Sequence, residues 1–369
     1  MNIVHFTGMF SEKYGGLEKF FVELAQLLNS QGHKMIVVYT EFPYSEQYVK
    51  DLQDNGVDII VINKQSNILI QCWYIRKIIK KYRPQIIHTH FDPMGYLSLA
   101  ISYLMGVKKR VRSLRSMMRN QNQKEDNLEL SFKTIILKKM MLKFSTDIYS
   151  VSDGIKKQYE RIFDTNKIET LYMGVSKNLF DKQENKIPVI TCIAFHDTVK
   201  GVDILLRALS ILIEKYEYSD FILHQIGGGK KENTGQLIQL TKELQLDDYV
   251  VWMGLRDNAP ELLAQSDVYC QPSRSEGISM AIMEASMASL PTIGANVGGI
   301  PEAVEDNVTG LLFEAENVEQ LANRLFTLLS NKDLRIKMGN NAKQKAMDKF
   351  CLEKQADCLV QKYTISHYL

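Results

Sequence analysis

A chain of 369 residues, 45% hydrophobic and 24% charged, is long for one core and fits two globular domains of ordinary size. A formal net charge of +2 gives no ground for a nucleic-acid partner, and no apolar run nears the ~20 residues that cross a bilayer, which excludes an integral membrane protein. The cysteines at 72, 192, 270, 351 and 358 are odd in number and include no C-x-x-C pair, so they read as reduced thiols, not as a disulfide framework or zinc site.

The start, Met1-Asn2-Ile3-Val4-His5-Phe6, lacks a charged segment followed by a long apolar one and reads as a strand over Ile3 to Thr7, which places the chain in the cytosol. Tyr14-Gly15-Gly16-Leu17-Glu18 follows, a turn where glycines permit close backbone approach at a helix start. It is not G-x-G-x-x-G, so a dinucleotide fingerprint is absent. Leu17 to Asn29 is a helix with Phe20, Phe21, Leu24, Leu27 and Leu28 inward, ended by Gly32. Strands are expected at Met35 to Tyr39, Val57 to Ile62, Ile86 to Thr89, Val111 to Leu114 and Ile148 to Val151, separated by helices such as Ile70 to Lys81. Ser152-Asp153-Gly154 reads as a cap before a further helix.

Basic residues gather in this half, in Arg76-Lys77 with Lys80-Lys81, in Lys108 to Arg110 with Arg112, Arg115 and Arg119, and in Lys133, Lys138, Lys139 and Lys143. The last group alternates with apolar residues without forming one face, so an interfacial helix and a partly buried helix with snorkelling lysines both stay open. The polar stretch Ser176 to Lys186 has the composition of a linker. A second set of strands then runs through Val189 to Ala194, Phe221 to Ile226, Val250 to Met253, Val268 to Gln271 and Thr292 to Gly294, with helices such as Val202 to Tyr216 between them. Alternating strands and helices predict parallel sheets covered by helices, in two doubly wound units.

The segment Pro272-Ser273-Arg274-Ser275-Glu276-Gly277-Ile278-Ser279-Met280-Ala281-Ile282-Met283-Glu284 holds the most chemistry. Helical spacing from Ile278 to Met287 puts Glu276 in a loop and Glu284 on a helix, with the amides of Gly277, Ile278 and Ser279 in its first turn, where unpaired N–H groups and the helix dipole attract phosphate. On that reading Glu284 lies roughly 10 Å along the helix, a diphosphate-to-ribose reach.

This segment, with Pro291-Thr292-Ile293, Gly298 to Glu302 and Asn307 to Leu312 after it, resembles the E-x7-E signature of glycosyltransferase family 4. The resemblance covers nearly the whole chain. It implies a GT-B fold, α/β, with two Rossmann-like domains facing a cleft: residues 1–175 binding acceptor, joined by a terminal helix over 351–369 that crosses back, and residues 187–350 binding a nucleotide sugar. Val199-Lys200-Gly201-Val202-Asp203 resembles the family's K-G-[VM]-D motif, which implies that Lys200 neutralises the leaving diphosphate. Glu276 would orient the sugar and stabilise charge at its ring, or serve as a covalent nucleophile, and Glu284 would hold the ribose. The family's arginine shortly before this lysine is missing from Ala194 to Thr198, so either His196, Arg256 or Arg274 supplies the second cation or the leaving group is less stabilised.

By the same resemblance Gly15 and Gly16 form a loop that touches the donor diphosphate or the reacting sugar, His90 of Ile86-Ile87-His88-Thr89-His90 ends a strand at the site, and Gly228 lies in a turn near the nucleotide. Arg115 stands where many members carry a histidine and would grip an anionic group of donor or acceptor. The implied reaction is retaining, metal-independent transfer from a nucleoside-diphosphate sugar, UDP-linked by expectation, to a glycan or lipid-linked acceptor in envelope or polysaccharide synthesis. No cofactor and no nucleic acid are expected, and peripheral contact at the inner membrane face is. No D-x-D sequence is present to bridge a metal to a diphosphate. Two other readings stay open: a GT-B epimerase or phosphorylase, and a non-catalytic subunit that binds a sugar nucleotide.

Overall fold

The computed structural model describes every residue except 9–10, 12–13, 64–65, 92–93, 119–130, 178–179 and 366–369. Arg119 and the last four residues of the helix expected to end the chain lie outside the described residues. Contacts divide the chain into two compact units, Met1–Gly174 with Leu352–Leu369, and Val175–Cys351.

The N-terminal unit alternates strand and helix in chain order: β1 Asn2–Phe6, α1 Gly16–Ser30, β2 Lys34–Tyr39, α2 Glu46–Asp54, β3 Asp58–Val61, α3 Ile68–Tyr82, β4 Ile86–Thr89, α4 Met94–Leu104, β5 Lys109–Leu114, α5 Phe132–Phe144, β6 Asp147–Ser150, α6 Asp153–Phe163 and β7 Ile168–Thr170. The strands form one parallel sheet in the order β3-β2-β1-β4-β5-β6-β7. Order reverses between β1 and β4, so right-handed crossovers send α1 and α2 to one face and α3, α4 and α5 to the other. The central strands read as apolar runs because both faces are covered, and Val4, Phe6, Ile36, Val38 and Ile87 are wholly buried. Helix ends are written locally: Ser152 Oγ accepts the Ile155 N–H at 3.2 Å, and Arg83, in the left-handed region at φ 42° just before Pro84, stops α3.

The C-terminal unit continues with β8 Val189–Ile193, α7 Val202–Tyr216, β9 Ile222–Ile226, α8 Lys231–Glu243, β10 Val250–Gly254, α9 Ala259–Ala264, β11 Val268–Gln271, α10 Met280–Met287, β12 Thr292–Ala295, α11 Ile300–Ala303, β13 Gly310–Phe313, α12 Val318–Leu329 and α13 Lys332–Lys349. Its parallel sheet runs β10-β9-β8-β11-β12-β13. The final helix, α14 Leu352–Thr364, packs beside α1 in the N-terminal unit. Strands β7 and β13 have no counterpart among the expected strands; both are short strands at the sheet edges. The expected linker is not a free tether: the Gln183 N–H donates to the Ala264 carbonyl at 3.0 Å and the Asn185 amide to Asp267 at 2.8 Å, which fastens it to the C-terminal unit.

Candidate active site

In the C-terminal unit the candidate donor-binding residues collect where the strands end, the edge at which parallel α/β sheets bind ligands. Lys200 Nζ meets Glu276 Oε2 at 2.6 Å, with the two side chains 24% and 13% exposed. Lys200 closes a 3-10 turn over Thr198–Lys200, fixed by Asp197 Oδ1 accepting its N–H at 3.0 Å. Gly201 follows at φ 67°, and a Cβ there would lie 2.0 Å from the Pro272 carbonyl oxygen, so a glycine is what lets this turn press on the loop carrying Glu276. From the other side Gly298, at φ 53°, leaves no room for a Cβ against the Glu276 carbonyl, 1.8 Å away, and the Gly299 N–H donates to that oxygen at 3.2 Å.

Arg274 is held by carboxylates. It donates to both Asp203 oxygens at 2.8 and 2.7 Å and to Glu316 at 2.6 Å, while its N–H donates to the Val199 carbonyl at 2.8 Å. Asp203 raises the guanidinium's pKa, and this residue is a strut between the Lys200 and Glu276 loops, not a spare cation. His196 is 4% exposed, and burial lowers its pKa, leaving a neutral ring. Its Nδ1 pairs with Thr234 Oγ1 at 2.8 Å, its N–H donates to the Gly228 carbonyl at 2.9 Å, and its edge packs against Trp252. The ring therefore fastens α8, and the backbone N–H of His196 the glycine turn holding Gly228. Of the three residues expected to supply a second cation, Arg256 is the exposed one, and among the described residues no such lock holds it.

Helix α10 begins at Met280, two residues later than its apolar spacing indicated. Ser279 is the N-cap: its Oγ accepts the Ile282 N–H at 3.3 Å and donates to Gln271 Oε1 at 3.0 Å. The first-turn amides are therefore those of Met280, Ala281 and Ile282, while Gly277 and Ile278 stand before them in the loop, both buried. Competition by the serine hydroxyl for the helix's first N–H groups is the reason for the shift. Glu284, half-buried, then lies only ~6 Å along the helix from its start. Sequence reasoning missed what supports this loop. Tyr269 OH donates to Gln271 Oε1 at 2.8 Å and Gln271 Nε2 to Ser273 Oγ at 2.7 Å, a buried amide and hydroxyl network under Glu276. The signal was Gln271, a polar residue ending a strand of otherwise buried positions.

In the N-terminal unit Gly15 is the N-cap of α1 and Gly16 its first residue, and the Gly15 N–H donates to buried Glu18 at 3.1 Å. His90, just past β4, is 1% exposed, and its Nδ1 receives Arg115 Nε at 3.1 Å and Nη2 at 3.0 Å. Arg115 Nη1 points at Met173 Sδ, and among the described residues no carboxylate pairs with this guanidinium. Burial brings its pKa down to about 10, so it stays charged at neutral pH. Lys138, of the helix left open between two readings, is buried, donates to Tyr159 OH at 2.8 Å and lies over the Tyr96 ring.

Two family models match the chain, glycosyltransferase family 4 over residues 14–179 and glycosyl transferases group 1 over residues 176–345. N-acetyl-alpha-D-glucosaminyl L-malate synthase of Bacillus anthracis is 27% identical over 233 residues, and the chain spans 59% of its length, little more than half, with 60% of its own. UDP-Gal:alpha-D-GlcNAc-diphosphoundecaprenol alpha-1,3-galactosyltransferase of Escherichia coli is 26% identical over 302 residues, 78% of this chain and 77% of its own. HepE of Anabaena, solved in complex with UDP, superposes with a TM-score of 0.83 at 17% identity, covering 99% of this chain and all of that one. That likeness shows the fold, GT-B, built from two Rossmann-like parallel-sheet domains. Motifs, family models and architecture agree, and the chain belongs to the GT-B glycosyltransferases of the family 4 type.

Proposed function

We propose that this protein transfers a sugar, with retention, from a nucleoside-diphosphate sugar to a glycan or lipid-linked acceptor. The observation that carries the reading is the Lys200–Glu276 pair, packed at the end of β11 beside the first turn of α10. A bound diphosphate would draw Lys200 off Glu276 and take the helix's first amides, and the carboxylate would then face a sugar ring that becomes positive as the leaving group departs. The acceptor oxygen attacks the anomeric carbon on the face that the diphosphate leaves. The bond to the diphosphate breaks, and the acceptor proton passes to a phosphate oxygen. Lysine and helix amides neutralise the leaving charge in this scheme. Glu284 holds the ribose, and Arg256 is the cation left to complete the diphosphate site. UDP is the favoured carrier because the Escherichia coli relative is named for a UDP-sugar and HepE was solved with UDP.

A lipid-linked acceptor is supported by one face of the N-terminal unit. Helices α3, α4 and α5 pack side by side and contain no aspartate or glutamate, while α3 carries Arg76, Lys77, Lys80 and Lys81. Exposed on the same three helices are Leu69 at 73%, Trp73 at 55%, Leu104 at 81% and Phe132 at 80%. Cations beside outward aromatic and aliphatic groups suit the surface of an anionic bilayer. Among the described residues no helix is long and apolar enough to cross a membrane, so contact would be peripheral.

The test is a thermal-shift screen of UDP-, GDP- and dTDP-sugars followed by turnover with the sugar that binds. A binder at 100 times its Kd should stabilise the fold by about 2.7 kcal/mol. Lack of response to any of these donors would overturn the reading.

A further inference from the structure

We propose that His5, His90, His88 and Tyr363 form a hydrogen-bond chain of fixed direction that holds Arg115, which makes Tyr363 on the terminal helix a positioning residue for that guanidinium. The inference rests on the reading that Arg115 meets an anionic substrate group. The cluster follows from strand register. His5 of β1 lies opposite His88 of β4, and His88 opposite Val111 of β5. Side chains two apart share a sheet face, so His90, Ser113 and Arg115 join them on one side, the side on which α1 and α14 pack.

The direction follows from donor chemistry. A guanidinium can only donate, so His90 Nδ1, reached by Arg115 at 3.0 and 3.1 Å, must accept. A neutral His90 then carries its proton on Nε2 and gives it to His5 Nδ1 at 3.0 Å. His5 in turn is protonated on Nε2, which faces Tyr363 OH at 3.4 Å, and that hydroxyl donates to His88 Nδ1 at 2.5 Å. His88 Nε2–H ends the run on Ser113 Oγ at 2.8 Å. All six ring nitrogens have a partner, and one neutral tautomer, Nε2–H, serves all three rings. Burial first keeps each ring unprotonated at neutral pH, helped at His5 by the charge of Arg115 and at His88 and His90 by a neighbouring histidine and then Arg115.

Three histidines whose nitrogens lie within 4.8 Å of one another could also be a metal site. Here, however, each of the lone pairs that would bind the ion accepts a hydrogen bond, from Arg115, His90 or Tyr363, and the ion would sit beside a guanidinium. A neutral, saturated bed instead leaves the Arg115 guanidinium without a paired carboxylate among the described residues, so that it can meet an anion. Among the described residues Tyr363 OH is the group whose hydrogen bonds join the His5 half of the chain to the His88 half.

The experiment is a long-range 1H–15N correlation spectrum of the full chain labelled at histidine, which reads tautomers directly. His5, His88 and His90 should all be Nε2–H between pH 6.5 and 8. Arg115→Met should scramble the tautomers of His90 and His5, and Tyr363→Phe should scramble His88 while leaving His90 fixed. One of the three rings found as Nδ1–H or charged in the unmodified protein, uptake of one equivalent of Zn2+ by it, or tautomers unmoved in Arg115→Met would overturn the chain. The positioning role is read separately: Tyr363→Phe should raise KM for one substrate about tenfold with kcat changed less than twofold, and an unchanged KM would overturn that role. The spectra need no turnover, so a failed donor screen and a failed relay are told apart.

Discussion

Mild acid should destabilise the N-terminal unit by an amount set by its buried histidines. Burial holds His5 down at about 3, and His88 and His90 well below the ordinary histidine value. Unfolded histidines titrate near 6.5, so between that pH and the folded values the unfolded chain binds protons that the folded unit does not. Stability therefore rises with pH across this window and is lost as pH falls from about 6.5 toward 3. Going from pH 7.5 to 5.5 costs about 1.4 kcal/mol for each ring that stays neutral in the fold, and about 4 kcal/mol for three. For a unit of this size that is a fall in Tm of roughly 8–16 °C. The chain has two tryptophans, Trp73 in the N-terminal unit and Trp252 in the C-terminal unit, so urea melts of Trp252→Phe followed by fluorescence report the N-terminal unit alone. His5→Gln should lose about a third less on acidification. An N-terminal unit equally stable at pH 5.5 and 7.5 would refute the reasoning, because the rings would then have to bind protons in the folded state.

Glu276→Gln and Lys200→Met should each lower kcat by roughly 10²–10³ with little loss of stability, since both act on charge that develops in transfer; single-turnover rates with the donor found in the screen check this. Gly298→Ala adds a Cβ 1.8 Å from the Glu276 carbonyl at φ 53°, whereas Gly254→Ala meets nothing within 4 Å at φ 69°. The second should cost about 1 kcal/mol of conformational strain, and the first distinctly more together with most of the activity, in denaturant melts and rate assays run side by side. Replacing Lys77, Lys80 and Lys81 together by glutamate should abolish sedimentation with vesicles containing phosphatidylglycerol, and the Trp73 emission should lose any blue shift that those vesicles produce; equal sedimentation of both proteins would remove the membrane-facing reading of α3.

Much of the architecture was legible without coordinates. Met35 to Tyr39 is a continuous apolar run because both faces of a parallel sheet are covered, and Val202 to Tyr216 shows the helical period along its whole length. The E-x7-E segment and the K-G-V-D turn carried the family resemblance, since a motif of glycine and charge at fixed spacing is legible in the sequence itself. Where the reading slipped, a side chain competed with the pattern. Ser279 caps α10 and delays its start, and polar residues with a linker's composition turned out to pack against the C-terminal unit.

The chain's own residues thus determined the two doubly wound units, the family and the loops that bear Lys200 and Glu276, all of which depend on local period and spacing. Tertiary structure alone decided which charges are free. Arg274 is locked by Asp203 and Glu316, and His196 is neutral under Trp252. His5, 85 residues before His90, and Tyr363, 275 residues after His88, became the bed of Arg115. Ionisation depends on desolvation and on partners brought together by strand register, and neither is written in the residues nearby.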